Sequence, residues 1–294
     1  MNLKGLNALV TGSEGFVGRR LVHALHNQGV SVIPLDVKNG VDLTDGKHLN
    51  EYLKKTSSID IVFHLAAIVF VPYSFEHPQI TYITNVVGTL NMLELARLRG
   101  VKKFVFASSY VYGPPHYLPI DEQHPLHAVS PYNRSKILAE ELCHGYHEDY
   151  GVSCAILRPF NIYGQGQSKQ FLIPQIINQL PSKTIVLQNP TPKRDYVYVD
   201  DVVSAYMKAA MYNGTGYDVF NIGSGRSYSV QEVVDKILTL SRRKEVTVTY
   251  THKKREHEIM DIVADIKKAK ENMKWQPTID IDKGLLFTLK EART

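Results

Sequence analysis

The segment SPYNRSK, Ser130 to Lys136, sets a tyrosine and a lysine four positions apart, behind a proline and ahead of the helix-like run ILAEEL. Positions i and i+4 of a helix share a face, so Tyr132 and Lys136 point together into whatever space that face borders. A phenol near its free pKa of about 10 is a poor base at neutral pH. A lysine ammonium on the same face stabilises the phenolate, bringing it toward the range where it can take a proton from a hydroxyl or return one to a ketone. An isolated Y-x-x-x-K is more often a solvated surface pair, so the chemistry depends on what the rest of the chain supplies.

Upstream, ALVTGSEGFVGRRLVHAL places Gly12, Gly15 and Gly18 between a predicted first strand and a predicted first helix, spaced G-x-x-G-x-x-G. Glycine permits a tight turn there and lets backbone N–H groups, including those of Phe16 and Val17 at the helix start, approach a pyrophosphate. An ordinary glycine turn would look the same in isolation. Here the next predicted strand, SVIPLD, ends in Asp36, about twenty residues on, where a carboxylate accepts hydrogen bonds from an adenosine ribose. That acid disfavours the extra phosphate of NADP and favours NAD, while Lys38 beside it keeps NADP open.

These residues need a scaffold. Short apolar runs alternate with segments of helical period: NALVT, RRLVHALHNQG, SVIPLD, KHLNEYLKK, IDIVFHLA, TLNMLELARLRG, KFVFASS. Parallel neighbours need a crossover, and helices must cover both sheet faces, so the alternation predicts an α/β fold with a doubly wound parallel sheet. Ligands of such sheets bind beyond the carboxyl ends of the strands, where the glycine turn and the end of FVFASSYVYG both lie. After CAILRPFNIYG the rhythm loosens, with Pro174, Pro181, Pro190 and Pro192 closely spaced; strand signals return at TIVLQ and YDVFNIG, helical ones at DVVSAYMKAAMY and VQEVVDKILTL. The expected organisation is a Rossmann domain over residues 1–160 and a smaller α/β substrate lobe over 161–294, with segments near 185–222 returning to the first domain.

At 294 residues, 44% hydrophobic and 21% charged, the chain has the makeup of a globular protein with a large core. Net charge is +5, but the basic runs SRRK and HKKR lack interleaved aromatics, which argues against nucleic acid and suits a solvated face or an anionic small molecule. Cys143 and Cys154 offer neither a disulfide framework nor metal-ligand spacing, so no metal is expected and a reducing compartment is. The N-terminus lacks the succession of a signal peptide and no apolar run approaches spanning length; the expectation is a cytoplasmic protein without a membrane role.

Taken in order, TGSEGFVG, DLTD, HLAA, SSYVYG, YNRSK, LRPFNIYG and RDYVYVDD resemble the extended short-chain dehydrogenase/reductases, in particular the NAD-dependent nucleotide-sugar epimerase/dehydratase family. The resemblance implies NAD(P) in the Rossmann domain, a nucleotide-diphosphate sugar in the other lobe, and hydride transfer with Tyr132 as base and Lys136 also holding the nicotinamide ribose. It implies that Asp42 and Leu43 bound the adenine, that Leu65, Ala66 and Ala67 line the cofactor, and that Asn85 braces the sheet edge. Ser108, three residues before Val111, matches the serine or threonine that hydrogen-bonds the reacting sugar oxygen; Ser109 would help it or satisfy a strand-end group. Asn161, Arg194 and Arg255 match groups reaching the nucleotide diphosphate, for which arginine's planar donor fork is suited. The plainer alternatives are that Asn161 caps a turn and that Arg255 is one more cation in a basic run. His64 reads as a satisfied core histidine lining the cofactor site, and Trp275 as packing.

Three functions stay open. The first is a nucleotide-sugar 4-epimerase, with hydride leaving C4 and returning to the opposite face. The second is an NAD(P)H-dependent 4-keto-6-deoxysugar reductase, favoured by the short segment from Asp36 to Asp42 and the compact serine motif. A cofactor sensor without catalysis is the third, set back by the presence of both Tyr132 and Lys136. The family's 4,6-dehydratases carry a carboxylate at the position of Tyr110, so that chemistry is demoted. A homodimer is expected, paired through segments 81–99 and 132–149.

Overall fold

A computed structural model describes residues 3–54, 56, 58–214, 216–243, 245–252 and 258–291; Arg255 lies outside them. The chain opens with β1 (Asn7–Thr11), α1 (Phe16–Asn27), β2 (Ser31–Leu35), α2 (Gly46–Leu53) and β3 (Ile61–His64). It continues through α3 (Val71–Glu76), α4 (Pro78–Tyr82), α5 (Gly88–Leu98), β4 (Lys103–Ala107), α6 (Pro131–Tyr150) and β5 (Cys154–Pro159). These strands are apolar runs without polar alternation because both sheet faces are covered, and all four residues of β3 are buried. Pro72 and Pro78 occupy the first turns of α3 and α4, where a missing N–H costs nothing. A π-helical turn over Ile83–Val87 joins α4 to α5, so the helix predicted from Thr89 onward is part of a longer helical run.

The second half comprises β6 (Asn161–Tyr163), α7 (Leu172–Gln179), β7 (Thr184–Leu187), β8 (Lys193–Tyr198), α8 (Val199–Met211) and β9 (Tyr217–Ile222). Then come β10 (Ser227–Ser229), α9 (Val230–Ser241), β11 (Thr247–Tyr250), α10 (Lys267–Asn272) and α11 (Ile281–Glu291). Six parallel strands form the main sheet in the order β2-β1-β3-β4-β5-β9. The order reverses between β1 and β3, which opens a crevice at their carboxyl ends.

One core lies on the face bearing Val10, Phe63, Val105, Leu157 and Phe220, closed by α1 and α8. The other holds Leu9, Val62, Phe104, Phe106 and Ile156 against Met92 of α5 and Ala139 and Cys143 of α6. A third, built on Ile173, Ile185, Tyr196, Tyr198, Val233 and Leu285, belongs to the smaller lobe, whose sheets are β10-β8-β6 and β11-β7. Within the expected 185–222, β7 and β8 pair in the small sheets, although β8 sends Val197 into the first core, while α8 and β9 return and are joined by Ala269 and Trp275. The reason for β7 is its one-sided burial, Ile185 and Leu187 in and Thr184 and Val186 out, which a strand sandwiched between two helical layers cannot have.

Candidate active site

At the switch point, Gly12 has φ +66°, and a Cβ there would stand 2.9 Å from the Ala66 backbone nitrogen; one on Gly18 would stand 2.0 Å from the Gly12 carbonyl oxygen. Those two glycines therefore serve close packing of backbone on backbone. Gly15 is exposed and N-caps α1 without a side-chain hydrogen bond, so the first N–H groups of the helix, from Phe16 and Val17, have no side-chain cap. The buried Ser13 hydroxyl has no partner among the described residues. Orphan donors at a helix N-terminus beside an unpartnered hydroxyl fit a dinucleotide pyrophosphate. Asp36 completes the turn: its Oδ2 accepts from the Glu14 N–H at 3.0 Å and its Oδ1 from the Lys38 N–H at 3.0 Å.

Around this crevice, the Thr11 hydroxyl accepts from the N–H groups of Leu65 and Ala66, both at 3.1 Å, fixing the turn that carries Ala67. Asp42 accepts from the N–H and hydroxyl of Thr44 through one oxygen, and the Leu43 carbonyl is held by Asn91 at 2.7 Å. Asn85 accepts from Ile68 N–H at 2.8 Å and donates to its carbonyl and to Ser135, tying the segment after β3 to α6. His64 is buried between Thr11 and Thr89, at 2.8 and 3.0 Å, and burial holds it neutral, with its pKa pulled down to about 3. Trp275 donates its indole N–H to the Asp201 carbonyl at 3.0 Å.

α6 starts where it does because the Ser130 hydroxyl accepts from the Asn133 N–H at 3.1 Å and Pro131 opens its first turn. Its buried face is Tyr132, Ser135, Lys136, Ala139, Glu140 and Cys143, the i, i+3, i+4 rhythm of one helix face. Tyr132 and Lys136 thus share that face at the end of β4. The Lys136 ammonium donates to the Ala107 carbonyl at 2.7 Å and lies 4.9 Å from the Phe106 ring centre. Burial pulls Lys136 down to about 8, and burial pushes the Tyr132 phenol above its ordinary value, opposed by a hydrogen bond with the Ser109 side chain.

The last relation sets the two serines apart. Ser108 does not face the tyrosine; it is 4% exposed and donates its hydroxyl to Glu140. The cause is the two-residue period of the pleat. Phe104 and Phe106 face α6, so Ser108, next in that row, does too, while Ser109 turns toward Tyr132. Ser109 is thus the serine beside the tyrosine, a placement that counting forward along β4 rather than back from Val111 would have found. Arg158 is likewise next in the row of Cys154 and Ile156, and it meets Glu140 from β5.

On the smaller lobe, Asn161 begins β6 in register with Tyr196 of β8. Arg194, two residues earlier on β8, donates to the Ile259 carbonyl at 2.8 Å, and its charge acts on both Tyr110 and Tyr196 against the upward push of their burial. Tyr110 packs edge-on against Phe160 with ring centres 5.3 Å apart, and the Asn133 amide donates to its carbonyl at 2.9 Å. Arg194 is therefore brought near Tyr110, the residue after Ser109; for Arg255 no placement is described. No cluster of metal-ligating side chains occurs among the described residues, and no helix among them is long and apolar enough to cross a membrane.

Residues 8–223 match the model of the NAD dependent epimerase/dehydratase family. A putative UDP-glucose 4-epimerase of Methanocaldococcus jannaschii is 37% identical, over 94% of this chain and 95% of that protein. Among solved structures, a UDP-glucose 4-epimerase of Thermotoga maritima with UDP-glucose superposes with a TM-score of 0.91 at 29% identity, covering 98% of this chain and 99% of that one. RMD of Pseudomonas aeruginosa, complexed with NADPH, superposes with a TM-score of 0.90 at 28% identity, covering 98% of each.

Proposed function

The chain belongs to the NAD dependent epimerase/dehydratase family, and from that premise we propose that it is a nucleotide-sugar 4-epimerase acting on a UDP-sugar with NAD in the crevice of the glycine turn. The observation that carries the reading is the buried face of α6 that sets Tyr132 and Lys136 together at the end of β4, where the Lys136 ammonium donates to the Ala107 carbonyl at 2.7 Å. Bound NAD supplies transient acceptance and return of the C4 hydride. Tyr132 takes the proton of the C4 hydroxyl as the carbon is oxidised and gives it back after the 4-keto sugar has turned. Ser109 holds the reacting oxygen, and the Lys136 ammonium favours the phenolate electrostatically. Asn161, Arg194 and Arg255 are assigned to the nucleotide diphosphate. Such remote contacts hold the sugar where it can react in either orientation.

Elimination chemistry lacks its carboxylate, since Tyr110 occupies that position. A 4-keto-sugar reductase stays as the second reading because SSYVYG is compact. We further assign the protein to the cytoplasm, where its buried free cysteines stay reduced, and to a homodimer. Exposed Ile83, Val87 and Leu90 form one stripe over the π-helical turn and α5, near exposed Leu138 of α6, and a second copy would cover them.

Denaturing the purified protein and assaying released nucleotide, beside conversion of UDP-galactose followed by NMR, tests the assignment. Retained NAD and epimerisation are expected, with Tyr132→Phe slowed by about 100- to 10,000-fold. A protein that converts no UDP-sugar but oxidises NADPH with a 4-keto sugar overturns it in favour of the reductase. Light scattering reads the dimer, and a monomer at micromolar concentration would refute that part.

A further inference from the structure

Glu140 continues the face of α6 that carries Tyr132 and Lys136, one helical turn beyond the lysine. It is 3% exposed. Its Oε1 accepts from Arg158 Nε at 3.0 Å and from the Ser108 hydroxyl, and its Oε2 accepts from Arg158 Nη2. Arg158 also donates to the Tyr112 hydroxyl at 3.0 Å, which donates to Asn221 Oδ1 at 2.6 Å. Buried ion pairs give little net stability over well-packed apolar residues, so this pair invites a role beyond packing.

We propose that Glu140 is a positioning residue of the reaction: clamped by Arg158, it fixes Ser108 so that Ser109 turns toward Tyr132, and it sets a counter-charge one turn from the Lys136 ammonium. The inference rests on the Tyr132–Lys136 reading above. Around Lys136 stand the Ala107 carbonyl and Phe106 ring of β4, neutral His64 of β3, and Cys143 of its own helix. Arg158 of β5 and Tyr217 of β9 act on Glu140, while Glu94 of α5 pairs with Arg97 and Tyr146 farther along. Burial depresses Lys136, and among the influences opposing that depression Glu140 is the largest.

With the counter-charge removed, Lys136 loses its proton at lower pH, and whatever the ammonium holds is released there. The experiment compares wild type with Glu140→Gln, which keeps the shape and an acceptor for Ser108. NAD retained through gel filtration is measured from about pH 6 to 10, beside turnover and thermal melting. The pH of half-retention should fall by about one to two units, with retention at the acid end unchanged. A purely structural Glu140 would lower the melting temperature without moving that pH. Glu140→Gln/Arg158→Met removes the cation left unpaired; it should recover stability and keep the displaced limb. An unmoved limb in whichever variant folds, or failure of both to fold, overturns the proposal. Retention is read without a sugar, so a wild type inactive on UDP-sugars would overturn the epimerase reading alone.

Discussion

The backbone N–H of Glu14, inside the glycine turn, donates to the Asp36 carboxylate at 3.0 Å, so the acid that ends β2 also holds the turn that follows β1. Each carboxylate oxygen spends one lone pair on a backbone N–H and has a second with which to accept. An adenosine ribose can donate there, whereas a 2'-phosphate would meet a negative charge. Asp36→Asn removes the charge and keeps an acceptor. NADP(H) affinity should rise relative to NAD(H) by about 10-fold, the order of one lost charge–charge contact. Calorimetry with both nucleotides checks this, and a wild type that prefers NADP(H) would remove the role given to Asp36.

The neighbouring serines separate by experiment because they face opposite ways. Ser109→Ala takes a hydroxyl from the Tyr132 side and should lower turnover roughly 10- to 100-fold, with melting little changed. Ser108→Ala instead strips a donor from a buried carboxylate, at about 1.5–3 kcal/mol of stability, with a smaller effect on turnover. The reverse pattern would restore Ser108 to the sugar.

Both halves of this site were legible to different depths. The Tyr132–Lys136 face, the glycine turn and Asp36 are local patterns, each written within one strand–helix unit, and residues near in sequence fix their geometry. The Ser108–Glu140–Arg158 contact joins β4, α6 and β5, and it depends on which row of each pleat faces the helix. Parity gives that row only once the sheet order is known. The return of Trp275 to the first core is less legible still, since it is fixed by the Asp201 carbonyl, which a sequence pattern does not announce. At Gly12 and Gly18 the motif also serves packing of backbone on backbone, which the spacing alone does not announce.

His64 predicts an acid-labile fold. Burial holds its pKa at about 3, against 6.5 for the free side chain. The unfolded chain therefore binds more protons between those values, and stability falls as pH drops through that window. The full loss is about 5 kcal/mol. His64→Gln keeps donor and acceptor atoms for Thr11 and Thr89 without the titration. Its stability in urea should depend less on pH from 6.5 down to 4 than that of wild type; parallel curves would show that His64 does not titrate as described.

Lys136 predicts a trade of stability for function. Its ammonium is buried, and its pKa of about 8 lies below the 10.5 of a free lysine. Between those values the unfolded chain holds the proton more tightly than the native one, so stability rises as pH climbs from 8 to 10.5 and the charge costs about 3 kcal/mol below that window. Lys136→Met keeps much of the alkyl packing against Phe106 and removes the charge, at the expense of the bond to the Ala107 carbonyl, worth about 1–3 kcal/mol. At pH 7 the variant should therefore be as stable as wild type or up to about 2 kcal/mol more stable, although it has lost NAD retention and turnover. Above pH 10 the order should reverse, because wild-type Lys136 is then neutral and still bonded while the variant's carbonyl is unpaired. Urea unfolding at the two pH values reads the difference directly. A gap that is the same at both would mean that Lys136 carries no buried charge, and its role beside Tyr132 would fall with it.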